Sequence, residues 1–226
     1  MIFDYEPIIL SIKVAAFAVT TVICSAMPLG CLMARRDFPG KDVIEAFITL
    51  PLVLPPSVIG FILLFLFGKN GPIGSILASY FHIQIVFTWW GAVISSAVVS
   101  FPLMYQSVKA SVNGIDINLV KAARTLGAGE MRIYRTVILP LAWPGLVAGL
   151  VMSFARALGE FGATMMIAGN IPGRTQTIPL AIYFAAESGD TEKAACLVVI
   201  MILFSFCLIF WVNRWSKKLQ GKVDGD

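Results

Sequence analysis

The chain has 226 residues, of which 58% are hydrophobic and 13% charged, with a net charge of +4 and a mean hydropathy of +0.85. An ordinary soluble domain carries about 25% charged residues, so too little polar surface is present to coat a water-soluble particle, and the expected solvent is lipid. A charge this small is no signal for nucleic acid; its placement along the chain is informative instead.

A spanning helix needs roughly 20 mostly apolar residues, and five stretches qualify. The first, 8–34, starts acidic (Asp4, Glu6) and outruns a leader peptide, so it reads as a retained helix. It ends at Arg35-Arg36-Asp37-Phe38-Pro39-Gly40-Lys41, where Pro39-Gly40 signals a turn. The second, 43–67, contains Pro51, Pro55 and Pro56 and must be kinked or broken, since each proline removes a backbone donor. Such a break is either a packing kink or a bend lining a pathway.

Residues 68–87 read as a loop with Gly71-Pro72, a short amphipathic piece (Ile76, Leu77, Tyr80, Phe81) and the sole histidine, His82, at the surface. Trp89-Trp90 open the third span, 88–108, and fit an interfacial aromatic belt. The fourth span, 137–158, carries Gly145, Gly149, Ser153 and Ala157 four apart, a spacing that lets another helix backbone approach closely. Residues 159–193 are expected to form an extracytoplasmic loop with short helices. A fifth span, 194–215, and a polar tail, 216–226, complete the chain. Cys24, Cys31, Cys196 and Cys207 all fall in apolar runs without a C-x-x-C pair, so they read as packing residues and no metal site is expected.

Orientation follows the basic residues. With five spans, one side receives twelve Lys and Arg: Arg35, Arg36 and Lys41, then Lys121, Arg124, Arg132 and Arg135 of the central polar stretch with Lys109 beside it, and Arg214, Lys217, Lys218 and Lys222. The other side receives five, namely Lys13, Lys69, Arg156, Arg174 and Lys193. The basic side is cytoplasmic on this rule, with the N-terminus out and the C-terminus in.

The central stretch, DINLVKAARTLGAGEMRIYRTVILP from Asp116 to Pro140, is the longest run that cannot sit in lipid. Asp116 can cap a helix, and Gly127 can end it in a left-handed conformation. Leu119, Val120, Ala123 and Leu126 fall on one face at helical spacing. Glu130 opens a second helix, and Pro140 is expected to bend the chain as it enters the membrane. A surface helix joined this way to a membrane helix can pass a push from one to the other.

Lys121-Ala122-Ala123, then Gly127, then Ile138-Leu139-Pro140 resembles the E-A-A, G, I-x-L-P loop of ABC importer membrane subunits, with Lys121 in place of the usual Glu. Further similarity covers nearly the whole chain. Phe38-Pro39-Gly40-Lys41, LPLVLPPSVIGFILLFLFGKNGPIG, AARTLGAG and SFARALGEFGATMMIAGNIPGRTQTIP are similar to molybdate ABC-transporter permeases. The resemblance implies an all-α integral membrane protein of the type I importer permease fold in the bacterial inner membrane. It implies a homodimeric channel for molybdate or tungstate, a periplasmic oxyanion-binding protein and a cytoplasmic ATP-binding subunit that holds ATP and Mg. It also implies that the loop residues Lys121, Ala122, Ala123, Arg124, Thr125, Leu126 and Gly127, with Ile138, Leu139 and Pro140, couple to that ATPase. Sulfate and ferric-iron permeases share the loop motif.

The chain's own content agrees with a non-catalytic subunit. Gly40-Lys41, Gly68-Lys69 and Gly221-Lys222 are followed by Asp, Asn and Val, so none completes a Walker A motif. One histidine and no H-E-x-x-H argue against an intramembrane enzyme. No internal repeat or buried relay marks a secondary transporter, and a bare structural anchor would not need the Gly-punctuated loop. Arg156 and Glu160, four apart at the outer end of the fourth span, are an interfacial ion pair or a basic gate for a dianion. Ser153 and Thr164, with Thr49, Ser57, Ser95, Ser96 and Ser100, can solvate an oxyanion weakly or join helices. Arg174, in IPGRTQT on the outer side, is a solvated charge or a contact for the binding protein.

Overall fold

The computed structural model describes residues 5–223, and all regular structure among them is helical. Three long helices make the centre: α1 (Glu6–Arg35), α5 (Trp89–Asn113) and α8 (Leu139–Leu158). Helix α5 is the axis, with 67% of its apolar window buried against 11% for the last helix, α11 (Thr191–Val223). Small residues let the neighbours close on it. Ala15, Ala18 and Ala26 of α1 are fully buried. A Cβ on Gly149 of α8 would come within 2.5 Å of the Ser107 Cβ, so the backbones can approach this closely only without one. The stripe Gly145, Gly149, Ser153 and Ala157 is therefore a packing face against α5.

Between α1 and α5 the chain makes α2 (Lys41–Thr49), a 3₁₀ turn (Leu50–Leu52), α3 (Pro56–Phe67) and α4 (Gly74–Phe81). The expected second span is broken at Val53–Pro55, and its two halves differ in direction by 109°. Pro55 and Pro56 supply no backbone donors, and Pro56 opens α3 at a position where the donor is not needed. Gly60 then seats α3 on α9 (Gly162–Ala168), where an added Cβ would lie 2.8 Å from the Ala163 Cα. The returning chain after α9 forms α10 (Ile178–Glu187), whose first amide, Ile178 N–H, donates to Ser11 Oγ of α1 at 2.7 Å.

Among the described residues four helices are long and apolar enough to cross a membrane, or five if the bent α2–α3 pair counts as one. The exterior agrees with lipid: Phe17, Phe47, Phe61, Phe65, Ile202, Phe206 and Trp211 are all exposed, a distribution a water-soluble monomer would not tolerate. Charges gather at opposite ends. Lys41–Asp37 at 2.8 Å, Lys109–Glu45 at 2.5 Å and Arg124–Glu130 at 2.7 Å mark one end. At the other, Lys13 and Arg174 share a cavity of about 410 Å3 with Trp89 and Trp90, and Lys13 Nζ lies 4.4 Å from the Trp89 ring centroid.

Two expectations need correction. Cys24, Cys196 and Cys207 are exposed on outward faces instead of packed inside; only Cys31 is half-buried. The third apolar helix continues to Asn113, five residues past the expected end, and the last reaches Val223 through most of the expected tail, whose residues 224–226 lie outside the described ones.

Candidate functional site

Between α5 and α8 the polar stretch folds as α6 (Ile117–Thr125), a turn, and α7 (Glu130–Ile133). Asp116 caps α6 by accepting the Asn118 N–H at 2.9 Å. Gly127 takes φ +81°, the left-handed conformation that ends the helix. Arg124 Nε donates to Glu130 Oε1 at 2.7 Å, tying the helix to the segment beyond the turn. That hydrogen bond holds the Arg124 pKa above its ordinary value, so the guanidinium stays charged.

The exit from α7 is not the expected bend. The chain remains helical from Glu130 to Leu158, passing through a π turn at Tyr134–Ile138 in which Leu139 N–H reaches back to Tyr134 O. This one-residue widening precedes Pro140, which has no donor of its own and sits at the start of α8. The loop is thus joined to the membrane helix by continuous hydrogen-bonded backbone.

The apolar residues of α6 do not share one face. Val120 is fully buried and Ala123 half-buried, whereas Leu119 is 48% and Leu126 87% exposed. Lys121, Ala122, Thr125 and Gly127 are exposed as well. Ile138 is buried and Leu139 half-buried in the joint, with Pro140 on the outside. A large apolar side chain at a helix end, surrounded by small and polar groups and open to water, has the composition of an anchor for a partner's pocket.

Glycine placement makes a separate prediction. Gly127 and Gly129 both have open space around a would-be Cβ, but only Gly127 has positive φ. Gly127→Ala is expected to lower the protein's thermal stability by about 1 kcal/mol and Gly129→Ala to be nearly neutral. Thermal unfolding of the two variants in detergent checks this.

At the other end, α8 stops at Leu158, so Glu160 lies beyond the helix and not on its continuing face. It still meets Arg156: Arg156 Nη1 donates to Glu160 Oε2 at 2.7 Å, with the Glu160 side chain 1% and the Arg156 side chain 31% exposed. The second carboxylate oxygen accepts the Ala163 N–H at 2.8 Å, at the start of α9. One buried carboxylate therefore joins two helices. Thr164 and Ser95 hydrogen-bond to each other at 2.9 Å, which joins α9 to α5, whereas Ser100 donates to Ser96 O within α5 itself. Ser153 is fully buried and its Oγ has no partner among the described residues. Arg174 is exposed in a turn pinned by Thr175, whose Oγ1 accepts the Ile171 N–H and donates to Gly169 O.

Sequence reasoning passed over the pairing of Glu45 with Lys109 between α2 and α5, and Ser11, which anchors α10. An ionisable Glu inside an apolar stretch was the available signal for the first; nothing local marks Ser11.

The family described as "Binding-protein-dependent transport system inner membrane component" matches residues 26–221. The molybdenum transport system permease protein ModB of Haemophilus influenzae is 48% identical over 226 residues, covering 97% of this chain and 99% of that protein. The sulfate transport system permease protein CysT of Salmonella typhimurium is 34% identical, over 94% of this chain and 79% of that protein. In fold, the chain is similar to a solved inward-facing MetNI methionine ABC transporter, with a TM-score of 0.74, 16% identity, and 96% and 95% of the two chains covered.

Proposed function

The chain belongs to the family of binding-protein-dependent transport system inner membrane components, and on that premise we propose that it is the permease of an ATP-driven importer that carries molybdate or tungstate across the inner membrane. The observation that carries the coupling part of this reading is the exposed α6 loop, continuous in backbone with α8. Such a lever can turn a partner's movement into a rigid-body change of the membrane helices. The choice of ion rests on the 48% identity to a molybdenum permease.

In this reading two copies form the conduit, because a half with four or five spans has too few helices to enclose a path alone. The catalysis belongs elsewhere: a cytoplasmic ATP-binding subunit holds ATP and Mg and docks on Lys121, Ala122, Ala123, Arg124, Thr125, Leu126 and Gly127. Ile138, Leu139 and Pro140 form the joint that passes the push to α8. A periplasmic oxyanion-binding protein delivers the ion at the outer end, where Arg174 is exposed and can meet a carboxylate. Arg156, held by Glu160 and partly open to water, is the basic group at the outer part of the path, and Ser153 and Thr164 supply its hydroxyls. Weak contacts suit a conduit, since tight binding would trap the ion.

The test is uptake into proteoliposomes holding the permease, its ATPase and the binding protein, read by elemental analysis of the lumen. Molybdenum is expected to accumulate only with ATP and the ATPase subunit present. Accumulation without the ATPase overturns the coupled reading. Because a sulfate permease is 34% identical, sulfate is the competitor to include; preferential uptake of sulfate would leave the importer standing and replace its ion.

A further inference from the structure

A cavity of about 500 Å3 opens between the lower end of α1 and the joint of the polar loop with α8. Its walls are sorted by polarity. Pro28, Leu32 and Ile138 form an apolar side, and Arg35, Arg36 and Arg124 stand at its rim. Pro28 lies seven and eight residues before the two arginines on α1, so the apolar wall begins about 11 Å deeper along the helix at 1.5 Å per residue. Tyr134 of the π turn closes the back, its Oη 3.6 Å from Cys31 Sγ.

The charge at the rim is incompletely balanced. Glu130 takes Arg124 at 2.7 Å, but neither Arg35 nor Arg36 has an ion-pair partner among the described residues. Both are exposed. Two unpaired guanidinium groups at a membrane surface, above which an apolar slot runs into the bilayer, match a phosphate joined to acyl chains. A free phosphate would satisfy the arginines and leave the slot empty.

We propose that this cavity binds an anionic phospholipid of the cytoplasmic leaflet, with its phosphate at Arg35 and Arg36 and a chain along Leu32 and Ile138. The bound lipid bears on coupling, because the same cavity is lined by Arg124 and Glu130 of the loop and by Tyr134 of the joint. Charge-assisted hydrogen bonds from arginine to phosphate supply the specificity, and attraction of basic groups to the anionic leaflet adds to it. The inference rests on the cytoplasmic placement of this end, not on which ion is transported.

The complete permease–ATPase assembly, stripped in detergent and then given phosphatidylglycerol, is weighed by native mass spectrometry. Wild type is expected to retain the lipid, and Arg35→Gln/Arg36→Gln to bind it about thirtyfold more weakly. Leu32→Trp keeps both charges and fills the apolar slot; it too is expected to lose the lipid, which a free anion would not require. In vesicles of phosphatidylcholine alone against phosphatidylcholine with phosphatidylglycerol, the ATPase rate should respond to the anionic lipid in wild type and not in either variant. Retention unchanged in both variants overturns the proposal. Displacement of the lipid by inorganic phosphate assigns the site to a free anion and overturns it, as does cross-linking that finds the slot filled by the second copy or the ATPase.

Discussion

Leu126→Asp is expected to leave the permease folded and to stop uptake. The side chain is 87% exposed, so nothing within the chain depends on it. If it fills an ATPase pocket, its burial contributes about 1.5–3 kcal/mol, and putting a carboxylate into that pocket adds a desolvation cost of similar size. Together these weaken docking by about a hundredfold or more. Val120→Asp is the internal contrast. It lies six residues earlier, inside α6, and is fully buried, so the same chemistry there breaks the core and should lower stability instead. Co-purification with the ATPase, ATP-driven uptake and thermal unfolding separate the two. Wild-type uptake by Leu126→Asp would remove this residue from the docking surface.

The second large effect is at the outer end. Arg156→Ala leaves the Glu160 carboxylate buried with only the Ala163 N–H as partner. Breaking a fully buried pair costs about 3–5 kcal/mol. Because the Arg156 side chain is 31% exposed, water moderates that to about 2–3 kcal/mol. Glu160→Gln removes the charge, keeps an oxygen for Ala163, and releases Arg156 towards water, so its cost is about 1 kcal/mol. The double variant Arg156→Ala/Glu160→Gln should therefore be more stable than Arg156→Ala alone, a coupling that only neighbouring groups show. Uptake separates structure from transport. If Arg156 acts on the ion, the double variant regains stability and still transports poorly. Full uptake by the double variant would take Arg156 out of the pathway and leave it a helix-joining residue.

What could be read along the chain was whatever depends on a few consecutive residues. Spans announced themselves as apolar runs of membrane length, because lipid imposes that length on any helix that crosses it. Asp116 and Gly127 declared the ends of α6, since capping and positive φ are satisfied within three or four residues. The family motif around Ala122, Ala123 and Gly127 was legible for the same reason, and so was the pairing of Arg156 with Glu160.

Tertiary packing decided the rest. Helical periodicity put Leu126 on the face of Val120, but Val120 packs into the cluster with Ile133 and Ile138, whereas Leu126, at the end of the helix, is left 87% exposed. The three prolines required a break in the second apolar stretch, while its 109° angle depends on α3 seating Gly60 against α9, more than a hundred residues away. That Glu160 also caps α9 followed only once α8 stopped at Leu158 and the chain turned back. Local sequence carries the length and ends of each helix because backbone hydrogen bonds are local; which side of a helix meets a neighbour, or water, is settled by contacts between segments far apart in the chain.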